Sequence, residues 1–282
     1  MNVGILTAGG VCPGVNTIIR SITLRERNCG NLVHGFSDGF RGLNSNTKCY
    51  FDQKHINEGP GTLLKTSYDF VDLYSATKNL KDFERLYCIC GNESMKSARD
   101  LALDDRITTN IIGIAKTVFN DIPGLESIGF QTAVQELAKY IDCAYIEATS
   151  SSSVVFLEVP GRSNNDLVTH AGFARNSKIT NIILPDTHGD HVSSIECSFS
   201  NRGYAVVIVS EMCDYKHILS KLSVETKVIT PGYLIRDSKA CVYDTILAER
   251  VSQEAFNYAQ TNRNFIKGAT NIVKFEDFLR IA

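Results

Sequence analysis

The chain has no excess of charge of either sign. Its 29 lysines and arginines stand against 31 aspartates and glutamates, a formal net charge of −2, which argues against a general nucleic-acid surface. No apolar run reaches the roughly 18 residues that would cross a bilayer. No basic segment precedes Met-Asn-Val-Gly-Ile-Leu-Thr-Ala-Gly-Gly as in a secretory signal, so neither a membrane nor a secreted setting is expected. There is no paired C-x-x-C either. The nine cysteines are scattered, with Cys88, Cys90 and Cys143 inside apolar runs. That usage fits free thiols in a reducing cytoplasm better than a disulfide or zinc framework. Apart from four serines at 150–153, no low-complexity segment and no internal repeat is found.

What is there is an ordinary globular composition, 43% hydrophobic and 21% charged over 282 residues, long enough for one large domain or two lobes. Short apolar runs alternate with amphipathic ones. Strands are expected at 2–8, 31–36, 86–90, 111–115, 154–159, 180–184, 204–210 and 226–230. Helices are expected over 16–25, from a Ser75 cap to Phe83, up to Leu103, from Phe130 to about Ala148, through 167–175, and from Tyr243 to about Gln260. Such alternation specifies an α/β fold with mostly parallel sheets flanked by helices. The serine run reads as a flexible joint between two lobes.

Two turns carry chemistry. Residues 111–122 form a buried strand running into Lys116, Thr117, Asn120 and Asp121, with Phe119 among them, and ligands of open α/β sheets bind beyond the carboxyl ends of strands. The first strand runs into Gly9-Gly10-Val11-Cys12-Pro13-Gly14 ahead of a helix, where bare N–H groups and the helix dipole favour an anion. Its spacing is neither G-x-G-x-x-G nor a Walker A loop, and a tight turn needing positive φ explains the glycines equally well.

Taken in order, Gly4-Ile-Leu-Thr-Ala-Gly-Gly, Gly39-Phe-Arg-Gly-Leu, Gly61-Thr-Leu-Leu, Lys116-Thr-Val-Phe-Asn-Asp-Ile, Gly129-Phe-Gln-Thr-Ala, Glu158-Val-Pro-Gly-Arg, Glu211-Met-Cys-Asp and Gly232-Tyr-Leu-Ile-Arg make the chain resemble the bacterial-type phosphofructokinase family over nearly its whole length. The resemblance implies a two-lobed protein assembled into dimers or tetramers, taking ATP or pyrophosphate, magnesium and fructose 6-phosphate. It implies a donor-binding lobe of 1–130 plus about 237–268, and a sugar-phosphate lobe of 131–236 plus about 269–282.

Carried over position by position, the resemblance places Gly9, Gly10, Tyr68, Asn92, Glu93, Ser94 and Lys116 in the donor cradle. Thr117, Asp121 and Arg162 fall at catalytic positions, and Ser153, Glu211, Lys227, Tyr233 and Arg236 at sugar-phosphate positions. Several residues depart from the family pattern. Tyr68 stands where ATP users have arginine, and Asn92 where a carboxylate works with magnesium. Glu93 and Lys116 are similar to pyrophosphate-type motifs. Ser153 and Lys227 replace arginines offered to a neighbouring subunit. Phe119 replaces the carboxylate that accepts the sugar hydroxyl's proton. The expectation is a non-catalytic or regulatory family member in a homo- or hetero-oligomer. The alternatives are an active kinase, requiring magnesium and using Asp121 as base with Phe119 turned into the core, and a stand-alone nucleotide or sugar-phosphate sensor.

Overall fold

A computed structural model describes residues 1–51, 56–122, 124–161 and 164–278. The chain divides into two compact units, Met1–Thr132 with Arg236–Ala282, and Ala133–Ile235.

In the larger unit, strands numbered along the chain lie in the order β11 (Ile272–Lys274), β10 (Phe265–Lys267), β5 (Asn110–Ala115), β4 (Phe83–Cys90), β1 (Asn2–Ala8), β2 (Leu32–Phe36) and β3 (Lys48–Cys49). From β10 to β2 the strands run parallel, and the antiparallel pairs β10–β11 and β2–β3 finish the edges. The middle strands are buried on both faces, so their sequences are continuously apolar rather than alternating: every residue of β5, and all of β1 beyond Asn2, is buried. Around this sheet lie α1 (Val15–Asn28), α2 (Phe40–Asn44), α3 (Leu73–Asn79), α4 (Asn92–Leu103), the first turn of α5 (Phe130–Ser151) and α9 (Val242–Tyr258). Helix α1 buries Ile18, Ile19 and Ile22 and packs against α9. Leu6, Phe36, Leu86, Met95 and Ile111 belong to one apolar core.

Two buried acids tie distant segments together. Glu26 of α1 is fully buried and accepts from Arg85 Nη1 (3.1 Å), Tyr87 Oη (2.7 Å) and Asn31 Nδ2 (2.6 Å). Asp244, in the first turn of α9, accepts from the backbone N–H of Gly129 (3.0 Å) and Thr132 (2.7 Å) and from the Thr132 hydroxyl (2.5 Å). It thus caps the start of α5 from far along the chain. Asp244→Asn leaves one oxygen where two accept now. This variant is expected to lower the stability of the unit by about 1–3 kcal/mol, read as a fall in the urea midpoint.

The smaller unit has a parallel sheet in the order β7 (Asn181–Ile183), β8 (Ala205–Ser210), β6 (Val154–Val159), β9 (Thr226–Ile229). With it go the rest of α5, α6 (Asp166–Ala174), α7 (His191–Arg202) and α8 (Lys216–Leu219). Its core stacks Phe156 on Tyr215, ring centroids 5.9 Å apart. Among the described residues no helix is long and apolar enough to cross a membrane.

Three expectations are corrected. Asp72, not Ser75, caps α3, accepting from the N–H of Tyr74 and Ser75, and Phe83 opens β4 rather than closing a helix. The serine run is not the joint: α5 continues through Ser151, whose hydroxyl bonds back to Glu147 O (2.8 Å), and the units divide at Thr132 and Ala133. The described part of the C-terminal tail belongs to the larger unit rather than the smaller one, because β11 pairs with β10 there.

Candidate functional site

Ala8, Cys90 and Ala115 lie side by side in register at the ends of β1, β4 and β5, so the loops leaving these strands meet. Gly9 takes a φ of 86°. A Cβ on Gly9 would sit 3.2 Å from Ser94 Oγ and 3.6 Å from Lys116 Nζ; on Gly10 it would sit 2.7 Å from Arg236 Nη1 and 3.0 Å from Tyr68 Oη. Gly9 thus takes the positive-φ turn, while at Gly10 a side chain would run into Arg236 and Tyr68. The loop is held from outside: Gly9 N–H donates to Ser67 O (2.9 Å), Thr66 Oγ1 donates to Gly9 O (2.6 Å), and the Lys116 ammonium donates to Gly10 O. Helix α4 starts at this point. Its N-cap, Gly91, supplies no side-chain acceptor, so the positive end of the helix faces the loop.

Lys116 is almost wholly buried, at 2% exposure, and that burial holds its pKa below the ordinary lysine value. Burial likewise pushes the Cys12 thiol up to about 12, against the pull of Lys116, and Cys12 Sγ donates to Ile128 O. Asp121 has one carboxylate oxygen buried with no hydrogen-bond partner among the described residues. Its backbone O accepts from Asn92 Nδ2 (2.8 Å). Phe119 is 7% exposed, and its N–H donates to Thr117 Oγ1 (3.1 Å). Asn120, at a φ of 54°, accepts from Ser127 N–H. The 116–128 loop is thus braced on itself, with a phenyl ring packed where the family resemblance puts a base.

Gly9, Gly10, Tyr68, Ser94 and Lys116 lie together at the glycine loop. Glu93 does not turn inward: its carboxylate pairs with Lys96 at 3.0 Å on the surface. Arg236, expected with the sugar phosphate, lies in the larger unit against Gly10. In the smaller unit Glu211 accepts from Gly161 N–H (2.9 Å), and Tyr233 is exposed. Ser153, at the position of one arginine the family offers to a neighbouring subunit, is fully buried, its Oγ 2.8 Å from Ser151 Oγ. Lys227 is taken up by Glu147 (2.7 Å) and Glu225 (3.4 Å), which raise its pKa. Arg162 lies outside the described residues. Sequence reasoning missed Thr66 and Ser67 as braces of the glycine loop; the only signal was that they close another polar, glycine-bearing turn.

The profile of the family described as Phosphofructokinase matches residues 2–259. An ATP-dependent 6-phosphofructokinase of a Sulfurihydrogenibium species is 28% identical over 295 residues, covering 95% of this chain and 90% of the relative. Among solved structures, the pyrophosphate-dependent phosphofructokinase of Marinobacter aquaeolei superposes with a TM-score of 0.87 at 18% identity, over 98% of this chain and 83% of that one. The Pichia pastoris phosphofructokinase in its T-state superposes with a TM-score of 0.84 at 20% identity, over 93% of this chain; the chain spans 31% of that protein's length.

Proposed function

The chain belongs to the phosphofructokinase family, and from that premise we propose that it binds phosphorylated ligands without transferring a phosphoryl group at a metabolic rate, as a non-catalytic or regulatory subunit beside an active relative in the cytoplasm. The observation that carries this reading is Phe119, a buried phenyl ring at the position from which the family draws its base. A phenyl ring cannot take the proton of an attacking hydroxyl. General-base help is worth about 10²–10⁴-fold, so a typical turnover of ~10 s⁻¹ would fall to about 0.1 s⁻¹ or below. Asn92 removes a second charge from the same machinery.

A second reading is an active 6-phosphofructokinase using ATP or pyrophosphate. It has two supports. The relative from Sulfurihydrogenibium carries the name ATP-dependent 6-phosphofructokinase. Phe119 is packed away, and Asp121 keeps one buried carboxylate oxygen without a partner among the described residues that could serve as base in its place. Steady-state assay of the purified chain with fructose 6-phosphate, magnesium and either donor separates the two. The expected result is turnover below about 0.1 s⁻¹; a rate near ~10 s⁻¹ establishes the second reading instead. Co-purification with an active phosphofructokinase supports the subunit role over a lone sensor.

A further inference from the structure

We propose that the cradle at Gly9 and Gly10 takes the polyphosphate group of its ligand without magnesium, Lys116 and Arg236 supplying the positive charge. This rests on the ligand-binding reading above.

The family implies magnesium, and the residues present do not fit it. Magnesium wants near-octahedral oxygen ligands and is held through one or two carboxylates plus substrate phosphates. At position 92 the chain offers an amide whose nitrogen is committed to Asp121 O, which leaves one uncharged oxygen. Glu93 is committed to Lys96 on the surface. Of positions 92, 93 and 121, only Asp121 keeps a carboxylate free of a salt bridge among the described residues, one oxygen of it buried and unpartnered, and it lies close enough to Lys116 to offset part of that ammonium's burial. Among the described residues no three acidic, histidine or cysteine side chains form a metal-holding group.

The opposite charge is well supplied. Lys116 Nζ and Arg236 Nη1 both reach the glycine loop, and the first turn of α4, which no side chain caps and which carries Glu93, points its N–H groups there. Among the described residues the ammonium makes one bond, to Gly10 O, which leaves it two of its three donors. A divalent ion placed here would stand beside two cationic side chains, Lys116 and Arg236. A polyphosphate stripped of metal brings charge that matches them and relieves the cost of burying Lys116. Inorganic pyrophosphate and the tail of a nucleoside triphosphate share this chemistry.

The test is calorimetric titration of the whole chain with pyrophosphate and, separately, with ATP, each in EDTA and in excess magnesium. Affinity in EDTA equal to or tighter than in magnesium is the expected result. Pyrophosphate binding without ATP identifies the inorganic ligand, and binding of both identifies the shared tail. Binding that needs magnesium overturns the inference while leaving the ligand-binding reading intact. Lys116→Met and Arg236→Gln, checked for folding by circular dichroism, are each expected to weaken binding in EDTA by about tenfold or more. Unchanged affinity in both places the ligand elsewhere and overturns the inference. Asn92→Asp is expected to reverse the preference, weakening binding in EDTA and strengthening it with magnesium. Failure of both ligands to bind in either condition removes the ligand-binding reading itself and the inference with it. Turnover in the same samples removes only its non-catalytic part.

Discussion

Arg85→Met is expected to destabilise the larger unit by about 3–5 kcal/mol, more than the removal of any single apolar contact nearby would explain. Arg85 and Glu26 are both buried, and the guanidinium Nη1 stands 3.1 Å from one carboxylate oxygen and 3.4 Å from the other, while Nη2 donates to Gln260 Oε1. Methionine keeps the apolar stem and removes the charge, leaving Glu26 with Tyr87 and Asn31, two neutral donors. A buried carboxylate left without its cation is the costly state; an apolar pair in the same space is not. The double variant Arg85→Met with Glu26→Leu should therefore be more stable than Arg85→Met alone. Urea unfolding followed by circular dichroism reads both, as a lowered midpoint in the single variant and a partial return in the double. A single variant as stable as the wild type would mean that Glu26 finds its compensation elsewhere.

That network also marks where sequence reading stops. The strands at 2–8 and 111–115 are legible because they are buried on both faces, which leaves an uninterrupted apolar run. Helix α5 is legible over most of its length because its apolar residues recur at helical spacing. What fails is what depends on a partner distant in the chain. Glu26 and Arg85 are 59 residues apart, and read singly each is an ordinary charged residue on an element. The motif around Arg236 points it to the sugar phosphate, yet the fold sets its guanidinium beside Gly10. Local competition misleads as well. Asp72 and Ser75 can both cap a helix, and the aspartate takes both N–H groups as well as the Ser75 hydroxyl. The serine run looked like a joint, but serines can satisfy themselves by bonding back to the preceding turn, which let α5 continue.

Phe119→Asp combined with Asn92→Asp is expected to raise fructose 6-phosphate phosphorylation by about 10²-fold or more over the wild type. The cradle that such a transfer needs is still assembled: Lys116, Ser94 and Arg236 surround the glycine loop, and Thr117 and Asp121 flank position 119 in sequence. The pair restores two of the carboxylates by which this chain departs from the family pattern. A carboxyl at a site only 7% exposed will have its pKa raised by desolvation, which moves it toward the range a base needs at neutral pH. The same burial costs stability, about 3 kcal/mol or more for exchanging a packed phenyl ring for a polar group, so folding must be checked at the assay temperature. Asn92→Asp alone should give a smaller gain, because a magnesium carboxylate without a base leaves the proton with nowhere to go, and groups of one machine do not contribute additively. The control that decides the matter is the wild type with Asp121→Asn. If the parent chain already turns over as fast as the double variant, and Asp121→Asn abolishes that rate, then Asp121 is the base and the phenyl ring at 119 is a neutral tenant of the core.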